Sequence, residues 1–223
     1  MTHTVTIQAI EPVTHDVHHF KTTRPEGFAF TPGQACEMNL AKDGWREEQR
    51  PFTFTSLPDA DHLEFTIKSY TDHEGVTAEL ARALVGDRLE ITDPWGTIEY
   101  RGKGTFIAGG AGITPFIAIL RKLKDDGALS GHRLVFANKQ ERDIIIRDEL
   151  DGKMPGLEVV HVLSDDPHKS DFEHGFVDRQ LLERHVDDFS QHFYVCGPKP
   201  MQDSVMSDLK ALGADPDGLV FEK

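Results

Sequence analysis

The chain has little of what several functional classes require. Its 223 residues include only two cysteines, Cys36 and Cys196, too few and too far apart for a disulfide framework, a metal-ligand spacing or an iron–sulfur cluster, and no metal site is expected. Positive charge is also scarce. Lys and Arg total 24 against 38 Asp and Glu, a net charge of −14, which opposes long-range attraction to nucleic acid or to anionic membranes. Long apolar runs are missing: Thr105 to Leu120 is too short and too rich in Gly and Pro to span a bilayer. The opening MTHTVTIQAI lacks a basic segment followed by an apolar run, so no secretory signal is expected and the cytoplasm is the expected compartment. There is no internal repeat and no low-complexity segment.

What is present suffices for a globular fold. Apolar residues make up 38% of the chain, with 14 Phe, and the length suits two domains of roughly 100 residues each. The first half reads as β structure. Val5, Ile7 and Ala9 alternate with polar residues up to Pro12, and Val17 and Phe20 mark a second run ended by Arg24-Pro25-Glu26-Gly27. After the Pro32-Gly33 turn come Ala35 to Leu40, then the turn Asp43-Gly44, then Phe52 and Phe54. Leu63, Phe65 and Ile67 alternate, as do Leu89 and Ile91 before Asp93-Pro94. Short strands with turns every ten or so residues predict an antiparallel barrel or sandwich. One helix interrupts them, with Val76, Leu80 and Leu84 on a face and Gly86 as its stop.

The second half changes period. Strands are expected at Thr105–Ala108, Arg133–Ala137, Leu157–Leu163, His192–Cys196 and Leu219–Phe221. Helices are expected over Pro115–Lys124, Ile144–Leu150, Leu181–His185 and Met201–Leu212. Alternation of the two types implies a parallel sheet covered on both faces, and the change of period falls near Arg101-Gly102-Lys103-Gly104.

Four stretches carry chemistry. Gly109-Gly110-Ala111-Gly112 joins a buried strand to a helix that has Pro115 in its first turn. Free N–H groups and the positive end of the helix dipole make such a turn an anion site, although glycine-rich turns also serve packing alone. On Arg50-Pro51-Phe52-Thr53, period 2 puts Arg50 and Phe52 on one face about 7 Å apart. A guanidinium there suits a phosphate and a ring suits a flat heterocycle, at about the reach of a flavin; a surface Arg and a core Phe is the plainer reading. Gly75-Val76-Thr77 opens a helix and can hold a second phosphate or simply start the helix. Tyr194-Val195-Cys196-Gly197-Pro198 ends a strand at the edge where ligands of open α/β sheets bind; a buried Cys before a turn is equally a packing residue.

Taken in order, Arg50-Pro51-Phe52-Thr53, Gly75-Val76-Thr77, Gly110-Ala111-Gly112-Ile113-Thr114-Pro115 and Cys196-Gly197-Pro198-Lys199-Pro200-Met201 resemble the ferredoxin–NADP(H) reductase superfamily. Pro32-Gly33-Gln34 and Asp93-Pro94-Trp95-Gly96 match as family turns, so the resemblance covers nearly the whole chain. It is greatest to the short flavodoxin/ferredoxin reductase-like members without an iron–sulfur domain.

The resemblance implies two domains: an antiparallel β-barrel flavin domain at 1–102, then an α/β parallel-sheet NAD(P)-binding domain at 103–223. It implies FAD, with FMN second, and NADPH or NADH as donor. Arg50 would bind the flavin phosphate, Phe52 with Pro51 would lie against the isoalloxazine and Thr53 would hydrogen-bond near its reactive nitrogen. Gly75, Val76 and Thr77 would hold the flavin pyrophosphate. Gly110, Gly112, Ile113, Thr114 and Pro115 would cradle the nicotinamide pyrophosphate. Cys196, followed by Gly197, Pro198 and Met201, would sit near the nicotinamide, with Glu222 as a carboxylate close by. Thr53, Cys196 and Glu222 are the expected catalytic residues.

Two departures from the family pattern matter. Phe52 stands where Tyr is usual and lacks its hydroxyl. Many relatives cover the flavin with a C-terminal aromatic residue, whereas this sequence ends Phe221-Glu222-Lys223, so that the cover is either Phe221, missing or supplied differently. After the second strand of the parallel sheet, Asn138 and Lys139, with Arg142 nearby, replace the acidic residue that favours a free ribose hydroxyl, a lean toward NADPH. The expected activity is hydride transfer from NAD(P)H to bound FAD, then electron transfer to a small carrier such as ferredoxin or flavodoxin, by a monomer. A reductase that releases its flavin, or an electron-transfer subunit of a larger complex, are the alternatives. An acidic carrier would need Arg46, Arg50, Arg101 and Lys103 to form a positive rim.

Overall fold

A computed structural model of the chain describes residues 1–70, 74–96, 98–166 and 171–221. The first part is an antiparallel sheet built from β1 (Thr2–Pro12), β2 (Val17–Thr23), β3 (Gln34–Leu40), β4 (Arg50–Thr53), β5 (His62–Lys68), β6 (Arg88–Thr92) and the two-residue β7 (Trp95–Gly96). Its spatial order is β4-β3-β6-β1-β2-β5, and β7 pairs with β3. Past the end of β4, a bridge between Phe54 and Phe65 joins the two edge strands, so the sheet closes into a barrel. Alternation explains the interior: Val5, Ile7, Phe20, Leu63, Phe65, Leu89 and Ile91 all project inward and are buried. At the centre Phe54 lies 4.5 Å from Phe30 and 5.3 Å from Phe65, ring to ring. Each such side chain contributes about 1.5–3 kcal/mol when fully buried.

The helix inside the barrel half is shorter than the apolar spacing predicts. α1 spans Val76–Leu80, one turn and a half, rather than reaching Leu84. The chain then unwinds through turns into Gly86, whose N–H donates to the Ile7 carbonyl. Leu84 is left 70% exposed instead of sharing the buried face of Val76 and Leu80.

The second part is a parallel sheet ordered β11-β10-β9-β8-β12-β13. Its strands are β8 (Gly104–Gly109), β9 (His132–Asn138), β10 (Leu157–Leu163), β11 (Glu173–His174), β12 (His192–Cys196) and β13 (Leu219–Phe221). Helices α2 (Thr114–Asp125), α3 (Arg147–Gly152), α4 (Arg179–His185) and α5 (Lys199–Ala211) cover it. The expected helix at Ile144–Leu150 starts only at Arg147. Ile144 and Ile145 are buried in extended or turn backbone, and Ile146 takes φ 49, a left-handed conformation that breaks the helix on its N-terminal side. Tertiary burial of the two preceding isoleucines overrides the local period there.

Alternation on the parallel strands sorts side chains to two faces. Phe106, Ala108, Tyr194 and Cys196 point to the face covered by α2, where Val17 and Ile98 from the barrel side join the same apolar cluster. Ile107, Phe193 and Val195 point to the other face, against Leu181, Leu182, Val205 and Leu209 of α4 and α5. The barrel therefore packs on the α2 face. Gly33 shows how closely: with φ +92, a Cβ there would stand 2.1 Å from the Ile98 carbonyl and 3.2 Å from Ile119 of α2.

Candidate functional site

Strand order locates the crevice. β8 is followed in sequence by β9 on one side, while β12 flanks it on the other, so the direction of winding reverses between β8 and β12. Open α/β sheets bind ligands at the carboxyl ends of the strands beside such a reversal. Gly109 ends β8 there, Cys196 ends β12, and Cys196 is paired across to Ala108.

The turn leaving β8 is shaped by absent side chains. Gly110–Ile113 forms one tight helical turn that feeds directly into α2, with Pro115 at its start. The Thr114 hydroxyl closes the turn by donating to the Ala111 carbonyl at 3.0 Å. A Cβ on Gly112 would lie 2.4 Å from the Cys196 carbonyl oxygen and 2.7 Å from the Cα of Gly197. A Cβ on Gly109 would meet Met201 Sδ at 2.4 Å. The two loops thus touch backbone to backbone. Gly110 has open space where a side chain would be, which leaves its main chain available to a bound group.

Next to this turn, Asn138 ends β9. It is 8% exposed, and neither its side-chain oxygen nor its nitrogen has a hydrogen-bond partner. Buried amides are nearly always satisfied, so an orphaned pair at a sheet's carboxyl edge points to a ligand. Lys139 and Arg142 follow it, both exposed and with no partner among the described residues. Phe176, just past β11 at the same edge, is 80% exposed. Neither its exposure nor its place at the edge is legible in sequence, because a lone Phe after a glycine reads as core.

The barrel carries the other expected site residues. On β4, Arg50 is exposed, Phe52 half-buried against the barrel core and Thr53 buried. Arg50 Nη1 donates to the Gln49 carbonyl, and its nearest carboxylate, Glu48, is 3.6 Å away at a half-exposed position. A guanidinium so loosely held is free to turn to a phosphate. Gly75 precedes α1 in extended backbone, with nothing within 4 Å of its Cβ position. α1 is too short to carry much of a dipole, so what Gly75, Val76 and Thr77 offer is the N–H groups of a helix start.

Cys196 is 3% exposed and faces the barrel side of the sheet. The backbone of Phe221 lies in β13, paired to Val195 beside it; Glu222 lies outside the described residues. Of the four residues that a positive rim would need, three have a carboxylate beside them. Arg46 pairs with Glu90, Arg50 with Glu48 and Arg101 with Glu99.

A residue that sequence reading passed over lies between the two parts. Arg121, on α2, forms a two-pronged pair with Glu149 of α3, both contacts 2.8 Å. Its third nitrogen crosses to the barrel, reaching the Thr55 carbonyl at 2.9 Å and Glu64 of β5 at 3.2 Å. The signal was faint: Arg121 stands one turn after the buried Ile117, with Lys124 and Asp125 a turn further on. Glu64 also meets His62 at 2.9 Å and His19 at 3.4 Å. Burial alone would raise the Glu64 carboxyl, but these histidines and Arg121 outweigh it and bring it down to about 2. Glu149 is likewise lowered, against its burial, by Arg121.

A closed barrel packed on a doubly covered parallel sheet, with a glycine-rich turn and an amide unpartnered among the described residues at the sheet's carboxyl edge and an aromatic–arginine strand on the barrel, is the architecture of a two-domain dinucleotide-binding flavoprotein. Sequence comparison agrees. An oxidoreductase FAD-binding domain model matches residues 4–100 and an oxidoreductase NAD-binding domain model matches 106–207. The chain belongs to the ferredoxin–NADP(H) reductase superfamily, whose members combine these two domains. It is 30% identical over 190 residues to NADH–cytochrome b5 reductase 1 of Arabidopsis thaliana, covering 79% of this chain and 67% of the relative. It is 28% identical over 232 residues to the propane 2-monooxygenase reductase component of Rhodococcus jostii, covering 97% of this chain and 62% of that one. Among solved structures, the CS-b5R domains of human Ncb5or in the NAD+ form superpose with a TM-score of 0.87 at 25% identity, covering 100% of this chain and 70% of that one. The chain thus spans about two thirds of the length of these relatives. No helix among the described residues is long and apolar enough to cross a membrane.

Proposed function

We propose that the protein is an NAD(P)H-dependent flavin oxidoreductase that takes hydride from a nicotinamide dinucleotide onto bound FAD and passes electrons to an external acceptor. The observation that carries this reading is the placement of Cys196. It ends β12 at the crevice, on the face of the sheet against which the barrel packs. Nicotinamide supplies hydride, and the flavin ring accepts it and releases electrons singly or in pairs.

The protein's part is binding, orientation and exclusion of water. Arg50 neutralises the flavin phosphate, since a charge-assisted hydrogen bond to phosphate is about twice as strong as a neutral one. Phe52, with Pro51, presents an apolar face to the ring, and the buried Thr53 hydroxyl donates to it. Gly75, Val76 and Thr77 lend N–H groups to the flavin pyrophosphate. Gly110 through Thr114 cradle the nicotinamide pyrophosphate, with Gly112 letting Cys196 and Gly197 come close and Pro115 setting the start of α2. Asn138 takes up the adenosine ribose with both ends of its amide, and Lys139 and Arg142 favour a 2′-phosphate, which supports NADPH. Cys196, Gly197, Pro198 and Met201 shape the nicotinamide end. We assign Glu222 and Phe221 to the same end on sequence alone.

The boundary at 102/103, a monomer and a cytoplasmic setting complete the reading. One chain carries both sets of binding residues, and both cysteines are buried with no disulfide among the described residues. By the names of the relatives, the acceptor is a redox protein of an oxygenase or cytochrome system, or a small carrier. With Arg46 and Arg101 each beside a carboxylate and Arg50 committed to the flavin phosphate, an acidic carrier finds no excess of positive charge from these three.

The test is the visible spectrum of the purified protein and its response to anaerobic NADH and NADPH. A yellow protein bleached by one of them supports the proposal; failure to take up FAD or FMN overturns it. A second reading is a reductase that releases its flavin. It requires a colourless protein that oxidises NAD(P)H only when flavin is added.

A further inference from the structure

Part of the contact between barrel and parallel sheet is apolar. Val17 and Ile98 join the cluster of α2, and Val13 packs against it from the edge. Apolar contact is non-directional and tolerates sliding. Directional contact between the two parts comes from the Tyr100 and Tyr194 hydroxyls at the amino end of the sheet, from His15 beside Asp143 at 3.7 Å and, on α2 itself, from Arg121, 22% exposed in its side chain and bound on every prong of its fork. The planar guanidinium has one geometry in which all these contacts are met at once.

What Arg121 joins is specific. Thr55, whose carbonyl it holds, is two residues beyond Thr53 on the same strand exit. Arg121 itself is seven residues beyond Thr114, where α2 leaves the glycine turn. Glu149 anchors the far prongs from α3, and Glu64 anchors the near one from β5. We propose that Arg121 is a positioning residue for hydride transfer: it sets the register between the flavin-holding strand and the nicotinamide-holding turn. The proposal rests on the function given above. Neither group it joins reacts, and Arg121 touches neither cofactor site; it acts through Thr55 and α2. Hydride transfer depends steeply on distance, and a misplacement of about 1 Å can slow an enzyme about 100-fold.

The experiment uses the flavin-loaded full chain. R121M, R121K and E149Q are compared with wild type for flavin content, NADP+ or NAD+ dissociation constant, and limiting rate of anaerobic flavin reduction. The expected result is a limiting rate lower by about tenfold or more in R121M, with flavin content and dissociation constant within about twofold. E149Q should fall between R121M and wild type, and R121K should recover part of the loss by keeping charge without the fork. Rates within twofold of wild type in folded, fully loaded R121M overturn the proposal. So does a rate loss that only tracks lost flavin or weaker dinucleotide binding, which would mark a structural role. If R121M does not fold, R121K and E149Q decide by the same criteria. If wild type binds flavin but neither dinucleotide bleaches it, the proposed function fails, and Arg121 loses its positioning role with it. If wild type is bleached and the variants match it, only the positioning role fails.

Discussion

The two ends of the parallel sheet are treated oppositely. At the amino end, Tyr194 is fully engaged: its hydroxyl accepts the N–H groups of Arg101 and Gly102 at 3.0 Å each and donates to the Gly102 carbonyl at 2.7 Å. Next to it Tyr100 bonds His132 at 2.9 Å and stacks on Tyr194. At the carboxyl end, two residues further along the same strand, side chains give way to backbone contact, and the Asn138 amide has no partner among the described residues. One end pins the connection between the two parts through the Tyr194 hydroxyl, with His192 Nδ1 the polar atom there left without a partner among the described residues. The other keeps polar groups unsatisfied and space clear. Unsatisfied buried groups are tolerated where a ligand completes them, so the contrast separates the end that holds the protein together from the end that works.

The contrast can be broken deliberately. The largest effect is expected for Gly112→Val, which forces atoms into the space against the Cys196 carbonyl. Flavin reduction by NAD(P)H should fall by about 100-fold or more, with flavin content retained, read by anaerobic stopped flow. Tyr194→Phe should act in the opposite sense, lowering unfolding free energy by about 1–3 kcal/mol through the N–H and C=O groups it leaves unpaired. Its reduction rate should stay near wild type, and chemical denaturation together with stopped flow checks both. Asn138→Ala sharpens the comparison most cleanly. Removing an amide that has no partner should leave stability unchanged or slightly higher, while dinucleotide affinity falls by about tenfold, as titration of the flavin spectrum would show. A loss of stability instead would mean that the amide is satisfied in the free protein.

The smallest effect near neutrality comes from pH. The Glu64 carboxyl lies at about 2 in the fold against an ordinary value of 4.5, held there against its burial by His19, His62 and Arg121. A depressed carboxylate contributes stability above its unfolded value and loses it as pH falls toward its folded one. Stability should therefore be flat in this respect above pH 5 and decline between about 4.5 and 2, and E64Q should flatten that part of the acid denaturation curve.

Much of the fold was legible because its signals are local. Alternation marked Val5–Ala9, Leu63–Ile67 and Leu89–Ile91, and the Gly109–Gly112 turn with Pro115 marked the strand-to-helix passage. The failures share a cause. Ile144–Leu150 has helical spacing, but the first two residues are drawn into the core and Ile146 takes a left-handed turn. Leu84 continues the stripe of α1, yet the chain leaves the helix before it. In both places packing at a distance outweighed a local preference of a few tenths of a kcal/mol per residue. β7 and β11 are two residues each, too short to leave a period.

By itself the sequence determined the order of the two halves, the side-chain-free turn and the residue types able to meet phosphates and a flat ring, because these depend on neighbours a few positions apart. Which strand lies beside which was decided only in three dimensions. So were the face on which Cys196 emerges, the orphaned state of Asn138 and the bond from Arg121 to Thr55. Those contacts join residues dozens of positions apart, and only chain closure and burial bring them together.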